Sequence, residues 1–148
     1  MLSKIERCEA SPTATVLMRI AAAFETTLAG LLSERASVPR HLSADAQPRW
    51  TDPASGYRRR QVYLSARLPL ELVEVLLPPG AAVSAPASSY ALIRQVLWVL
   101  EGKVVVDEGG HPAVLETGDS LEFGAPSDVQ FRNESTRPCR YLVAVVRQ

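Results

Sequence analysis

Histidine is scarce in this chain: two in 148 residues, His41 and His111, both in turn-like surroundings and far apart in sequence. No shared motif brings them together, so an imidazole-rich metal centre and a Ser/His/Asp or Cys/His nucleophile both lack their base. Cysteine is as rare. Cys8 and Cys139 form no C-x-x-C pair and have no neighbouring histidine, which excludes a disulfide framework and a zinc site and leaves two reduced thiols. No run approaches the roughly eighteen apolar residues of a membrane span, and the N-terminus lacks the charged-then-apolar layout of a secretory leader. The expectation is a cytoplasmic protein that is not an enzyme. An excess of either charge is missing too: 16 Lys+Arg balance 16 Asp+Glu, against a polycationic nucleic-acid tail or an acidic solvating segment.

The balance is uneven along the chain. Met1 to Arg67 holds 10 basic and 6 acidic residues, and Leu68 to Gln148 holds 6 and 10, so the two halves are expected to meet different partners. With 47% apolar residues the chain buries one sizeable core and has room for a small satellite unit. Ser11-Pro12 joins a capping hydroxyl to a proline suited to a first helical turn, and Leu17, Ile20, Ala21 and Phe24 follow at helical spacing, predicting a helix from Pro12 to Phe24. Thr27 caps a second short turn carrying Leu28, Leu31 and Leu32. Ser33 to Gly56 has little apolar periodicity and reads as a linker. From Tyr57 onward the pattern is strand-like: Arg59–Leu64, Leu70–Leu77, Leu92–Leu100, Lys103–Asp107, Ala113–Glu116, Ser120–Phe123, Val129–Asn133 and Arg140–Val146. Many short strands at regular turn spacing predict a closed or double-sheet all-β unit, since closure hides strand edges. The chain divides into a helical part over 1–33, a linker over 34–56 and a β-domain over 57–148.

The strings Leu2-Ser3-Lys4-Ile5-Glu6-Arg7, Glu9-Ala10-Ser11-Pro12 and Leu17-Met18-Arg19-Ile20-Ala21-Ala22-Ala23-Phe24 resemble the helix-turn-helix of phage-repressor-like (XRE) transcriptional regulators. The resemblance implies that the first string belongs to a recognition helix in the DNA major groove, with Ser3, Lys4 and Arg7 toward phosphates or base edges. It also implies a partial domain, because the family places two helices before that one. The family has glycine where this chain has Cys8 and Glu25, at helix ends that need a left-handed residue. From the residues alone, Ile5, Leu17, Ile20 and Phe24 form a small shared core, and Lys4 and Arg7 share a helical face. That face equally fits a solvated charged surface.

Pro79-Gly80, Gln95-Val96-Leu97-Trp98-Val99-Leu100-Glu101-Gly102, Leu115-Glu116-Thr117-Gly118-Asp119-Ser120-Leu121-Glu122-Phe123 and Phe131-Arg132-Asn133 resemble the two motifs of the cupin superfamily. The implied fold is mainly β, a double-stranded β-helix barrel (jelly roll) with a pocket in its mouth, preceded by a short α-helical remnant of the helix-turn-helix. Metal-binding cupins supply three His and a Glu. Here the matching positions fall at Ser88 or Ser89, Tyr90 or Ala91, Gln95 and Gln130, and amides and hydroxyls are poor ligands for the ions concerned. No metal and no other cofactor is expected. The same positions, Ser89, Tyr90, Gln95 and Gln130, are the candidate small-molecule site, either as the polar groups of an apolar cup or as a filled core bonded to itself.

Strand alternation sets Trp98 and Val96 opposite Gln95, on an outward apolar face suited to a homodimer. Together these features predict a DNA-binding transcriptional regulator whose metal-free cupin domain senses a small molecule and dimerises. The alternative is a ligand-binding or dimerisation protein that has lost DNA binding.

Overall fold

The structure is a computed structural model in which Arg7 and residues 11–32, 39–65 and 67–148 are described. Ser3, Lys4, Ile5 and Cys8 lie outside the described residues; Arg7 sits in an exposed turn. The described helices are α1 (Ala14–Ala23) and α2 (Leu28–Leu32), and the strands are β1 (Arg49–Thr51), β2 (Arg58–Leu64), β3 (Leu70–Leu77), β4 (Ala82–Ala85), β5 (Ile93–Glu101), β6 (Lys103–Glu108), β7 (His111–Glu116), β8 (Ser120–Glu122), β9 (Val129–Arg132) and β10 (Cys139–Arg147). They form two sheets, of order β1-β2-β3-β10-β5-β8 and β4-β9-β6-β7, with every pairing antiparallel.

Alternation of side chains along each strand decides which face is inside. On β3, Glu71, Val73, Val75 and Leu77 are buried; on β5, Gln95, Leu97 and Val99 are buried while Val96 and Trp98 are exposed. The valines and leucines of the first sheet meet Val83, Val104, Val106, Leu115 and Phe131 of the second in one hydrophobic core. At about 1.5–3 kcal/mol per buried side chain of this kind, that core is the main source of stability. Three local devices fix the ends of the barrel. Gly102 turns β5 into β6 at φ +86°, and a Cβ there would lie 2.7 Å from the Pro138 carbonyl oxygen. Asn133, 1% exposed, donates from Nδ2 to the carbonyls of Leu77 (2.9 Å) and Arg137 (2.8 Å) and accepts from the Ser135 amide and hydroxyl. Asp119 accepts from the Glu116 amide at 2.8 Å, closing the turn before β8. Cys139 is fully buried, and burial pushes its thiol up to about 11, so it is unreactive.

The eight strands expected from the sequence are present, with β1 and β4 in addition. Alanines and a serine around Val83 hid β4, and β1 lies within the span expected to be linker. That span is therefore tied to the barrel at its C-terminal end: Arg49–Thr51 pairs with Arg58–Arg60, and Asp52 anchors a turn through its hydrogen bonds with Ser55 and the amide of Ala54.

The helices differ from expectation in their packing. Helix α1 begins two residues later than predicted, capped by Thr13, whose hydroxyl accepts from the Val16 amide, rather than by Ser11. Its buried side chains are Ala14, Leu17 and Ala21, spaced i, i+3 and i+7 on one stripe. Ala14 and Met18 join the barrel core. Phe24, expected in a separate helical core, is 72% exposed, because the apolar stripe is spent on the barrel. The chain leaves α1 through Glu25 at φ 51°, the left-handed residue where the resemblance calls for glycine. Among the described residues no helix is long and apolar enough to cross a membrane.

Candidate functional site

Four hydrogen bonds hold the helical segment over one end of the barrel. The Ala14 amide donates to Asp52 Oδ1 at 3.1 Å, Thr15 Oγ1 to the Ser84 carbonyl at 2.8 Å, and Ser89 Oγ to the Met18 carbonyl at 3.4 Å. The fourth runs from Thr27 Oγ1 to Glu71 Oε1 at 2.9 Å, while the same hydroxyl accepts from the Gly30 amide and so caps α2. Burial pushes the Asp52 carboxyl up, yet the hydrogen bonds from the Ser55 hydroxyl and the Ala14, Ala54 and Ser55 amides together hold it below its ordinary value. It therefore acts as an anionic cap at the positive end of α1.

Beneath this cover lies a cavity of about 110 Å³. Met18, Ala21, Thr27 and Leu28 roof it; Val73, Val75, Val143 and Val145 form much of its wall. Polar side chains reach the same space: Arg59 from β2, Glu71 from β3, Gln95 from β5, and Tyr57, Ser89, Tyr90 and Tyr141. The strand register explains the set. Glu71, Val145 and Gln95 stand abreast across β3, β10 and β5, and Arg59 pairs with Val75 further along the same inner face. An aromatic chain, Tyr90, Phe123, Phe131 and Tyr141, borders the site with ring centroids 6.0–6.1 Å apart.

The charged groups of the wall, Arg59 and Glu71, are buried, and so is the Gln95 amide. Burial raises the Glu71 carboxyl above its ordinary value even though the Thr27 hydroxyl, Arg147 and Arg59 favour its charge. Burial also holds the Tyr90 phenol protonated, well above its usual range; Tyr57 adds to this, and the Gln95 amide beside it works the other way. Gln95 itself is 8% exposed, and its Nε2 has no hydrogen-bond acceptor. An unpartnered buried amide is costly, and such a group marks a place where something outside the chain completes the bonding.

Of the four residues expected to bind a ligand, Ser89, Tyr90 and Gln95 line this one cavity, whereas Ser88 and Ala91, their alternatives, are exposed. Gln130 is placed elsewhere. On β9 the inward residues are Val129 and Phe131, so Gln130 points away from the cavity, donating to Ser84 Oγ at 3.3 Å and accepting from Arg132 at 3.0 Å. The expectation for Gln130 was one residue out of phase with the pleat. His41 and His111 are both exposed, and among the described residues no group of three His, Cys, Asp or Glu could share a metal ion. Hydroxyls, an amide and Phe131 on the inner wall do not fit the imidazole and carboxylate set of a metal-binding barrel.

Residues 73–145 match the family model described as cupin domain. This stretch is a cupin domain. Among solved structures, an HTH_3 family transcriptional regulator from Vibrio cholerae is similar over 100% of this chain and 79% of its own, at TM-score 0.80 and 21% identity. The Cupin_2 domain of an XRE family transcriptional regulator from Enterobacter cloacae is similar over 62% of this chain and 97% of its own, at TM-score 0.58 and 17% identity. A predicted oxalate decarboxylase from Thermotoga maritima is similar over 73% of this chain and 99% of its own, at TM-score 0.57 and 13% identity. At these identities the likeness is one of fold, and the same barrel serves regulators and enzymes alike. No curated protein matches the sequence.

Two charged residues of the cavity, Arg59 and Glu71, and the helix-capping Asp52 above it are not among the residues expected from the sequence. Asp52 lay in the expected linker. Arg59 sits inside Arg58-Arg59-Arg60, which looks like a solvated run. Glu71 did carry a signal, since it shares parity with Val73, Val75 and Leu77 on a strand whose odd positions face inward.

Proposed function

We propose that this chain is a cytoplasmic, non-enzymatic transcriptional regulator whose cupin domain binds a small molecule in the cavity beneath α1 and α2. One observation carries the reading. The roof of the cavity is the helical segment itself, held by Asp52, Ser84, Glu71 and Ser89, so anything that enters touches the element that leads back to the N-terminal residues. Ser89, Tyr90 and Gln95 are the ligand-binding residues of this proposal, and Ser3, Lys4 and Arg7 its DNA-facing ones. Coupling then needs only a difference in ligand affinity between the docked and undocked helices. The fold similarity along the whole chain to a regulator supports the class.

Val96 and Trp98 on β5, with Val146 on β10, form an exposed apolar face outside the barrel, and a second copy of the chain is its proposed occupant. Sedimentation that shows only monomer at micromolar concentration would remove this part of the proposal.

DNA binding is tested by fluorescence anisotropy of the chain with duplex from upstream of its own gene, across a salt series. A logarithmic affinity that falls steeply with salt, with preference over a scrambled duplex, is the expected result. A second reading, a ligand-binding module without DNA binding, is favoured by the use of the α1 apolar stripe on the barrel rather than in a helical domain. Absence of any salt-dependent binding would select it.

A further inference from the structure

Arg59 is buried like a core residue. It is 8% exposed, on the wall of the cavity, and its side-chain hydrogen bond is one long contact, 3.4 Å from Nη2 to Gln61 Oε1. A guanidinium offers five donors and keeps its charge when buried. Among the described residues no carboxylate lies within 4 Å of it. Glu71, the other charged group on the cavity wall, has its own partners: it accepts from Thr27 and faces Arg147, outside the cavity, at 3.6 Å, and no hydrogen bond or ion pair joins it to Arg59, although Arg59 favours its charge. Arg59 is thus a buried cation without a bonded counterion. Gln95 Nε2, also buried, is a donor left over. The two come from β2 and β5, on either flank of β3 and β10, whose valines supply an apolar wall between them.

We propose that the cavity takes a small carboxylate with an apolar tail of a few carbons, its charge met by Arg59 and an oxygen by Gln95 Nε2. This rests on the cavity being a ligand site, as proposed above, and adds the sign and size of the ligand. The apolar walls disfavour a bare inorganic anion, and the unpaired Arg59 guanidinium beside Gln95 Nε2, both donors only, disfavours an amine.

The test uses the full chain and three matched probes, hexanoate, hexanamide and hexylamine, by calorimetric titration and thermal shift. Hexanoate is expected to bind and to raise the melting temperature, with hexanamide weaker by roughly tenfold or more, the usual gain of a charge-assisted hydrogen bond. Arg59→Met, checked for folding by circular dichroism, is expected to lose that preference. Arg59→Lys, which keeps the charge if the methionine variant does not fold, is expected to retain it with lower affinity. Hexanamide or hexylamine binding as tightly as hexanoate would overturn the carboxylate assignment while leaving the cavity a ligand site. Binding of none of the three would overturn both. Unchanged hexanoate binding in Arg59→Met would overturn the role of Arg59.

Discussion

Replacing Gln95 by methionine separates a binding cavity from a filled core. Methionine is unbranched and close in length, so it occupies the same volume without straining its neighbours. The Gln95 Nε2 is buried with no acceptor, a defect worth about 1–3 kcal/mol against the folded state. Against this gain stands the electrostatic contact of the same Nε2 with the Tyr90 oxygen, which falls short of a hydrogen bond and whose loss costs less than about 1 kcal/mol. The net expectation is a variant more stable by roughly 1 kcal/mol, or about 2–4 °C in melting temperature for a domain of this size. Urea and thermal unfolding give the first number and calorimetry the second. The same variant should bind hexanoate more weakly, by roughly tenfold, since Arg59 still meets the charge. A variant destabilised by more than about 1 kcal/mol would mean that the amide is a satisfied member of a packed core and not an open binding group.

Four further substitutions test other links. Glu25→Gly at φ 51° relieves a left-handed residue and should stabilise by roughly 0.5–1 kcal/mol in chemical unfolding, the relief offset in part by glycine's unfolded-state entropy. Asn133→Ala breaks hydrogen bonds to four partner groups at a fully buried position and should cost about 3 kcal/mol. Thr27→Val removes both the α2 cap and the donor to Glu71, and hydrogen exchange in α2 should quicken while that of β6 does not. Glu71 has a carboxyl raised from 4.5 in the folded protein, so its contribution to stability is fully present below about pH 4.5 and lost as pH rises through the folded value. Relative to wild type, Glu71→Gln should therefore gain stability as pH rises from 4.5, and a difference independent of pH between 4 and 8 would contradict the burial of that charge.

Strands with clean alternation, such as Leu70–Leu77 and Leu92–Leu100, could be placed from the sequence because one face is fully buried and the other is not. The turns were legible for a similar reason: Gly102 and Asp119 each satisfy a local backbone demand. What stayed hidden was the use of those faces. Ser89, Tyr90 and Gln95 converge because a 3-10 turn over Ala87–Tyr90 and the β5 strand meet the same interior, whereas Gln130 fell on the wrong side of a period-two strand by a single residue. Arg59 lies in a run of three arginines that reads as solvated, because burial of a charge depends on register across strands far apart in sequence, whereas Glu71 shares the inward parity of Val73 and Val75. Likewise the apolar stripe of α1 was visible, but its partner was not: the same stripe fits a helical neighbour or a barrel.

Ligand binding beneath α1 and α2 is read from the side-chain amide of Gln95 in the nitrogen-15 NMR spectrum of the full chain, assigned by its absence in Gln95→Met and followed during titration with hexanoate. This amide pair is expected to move with the same affinity as the thermal shift, and resonances of α1 and α2 to move with it. Hexanoate binding that leaves the Gln95 amide and both helices unmoved would contradict binding at that place.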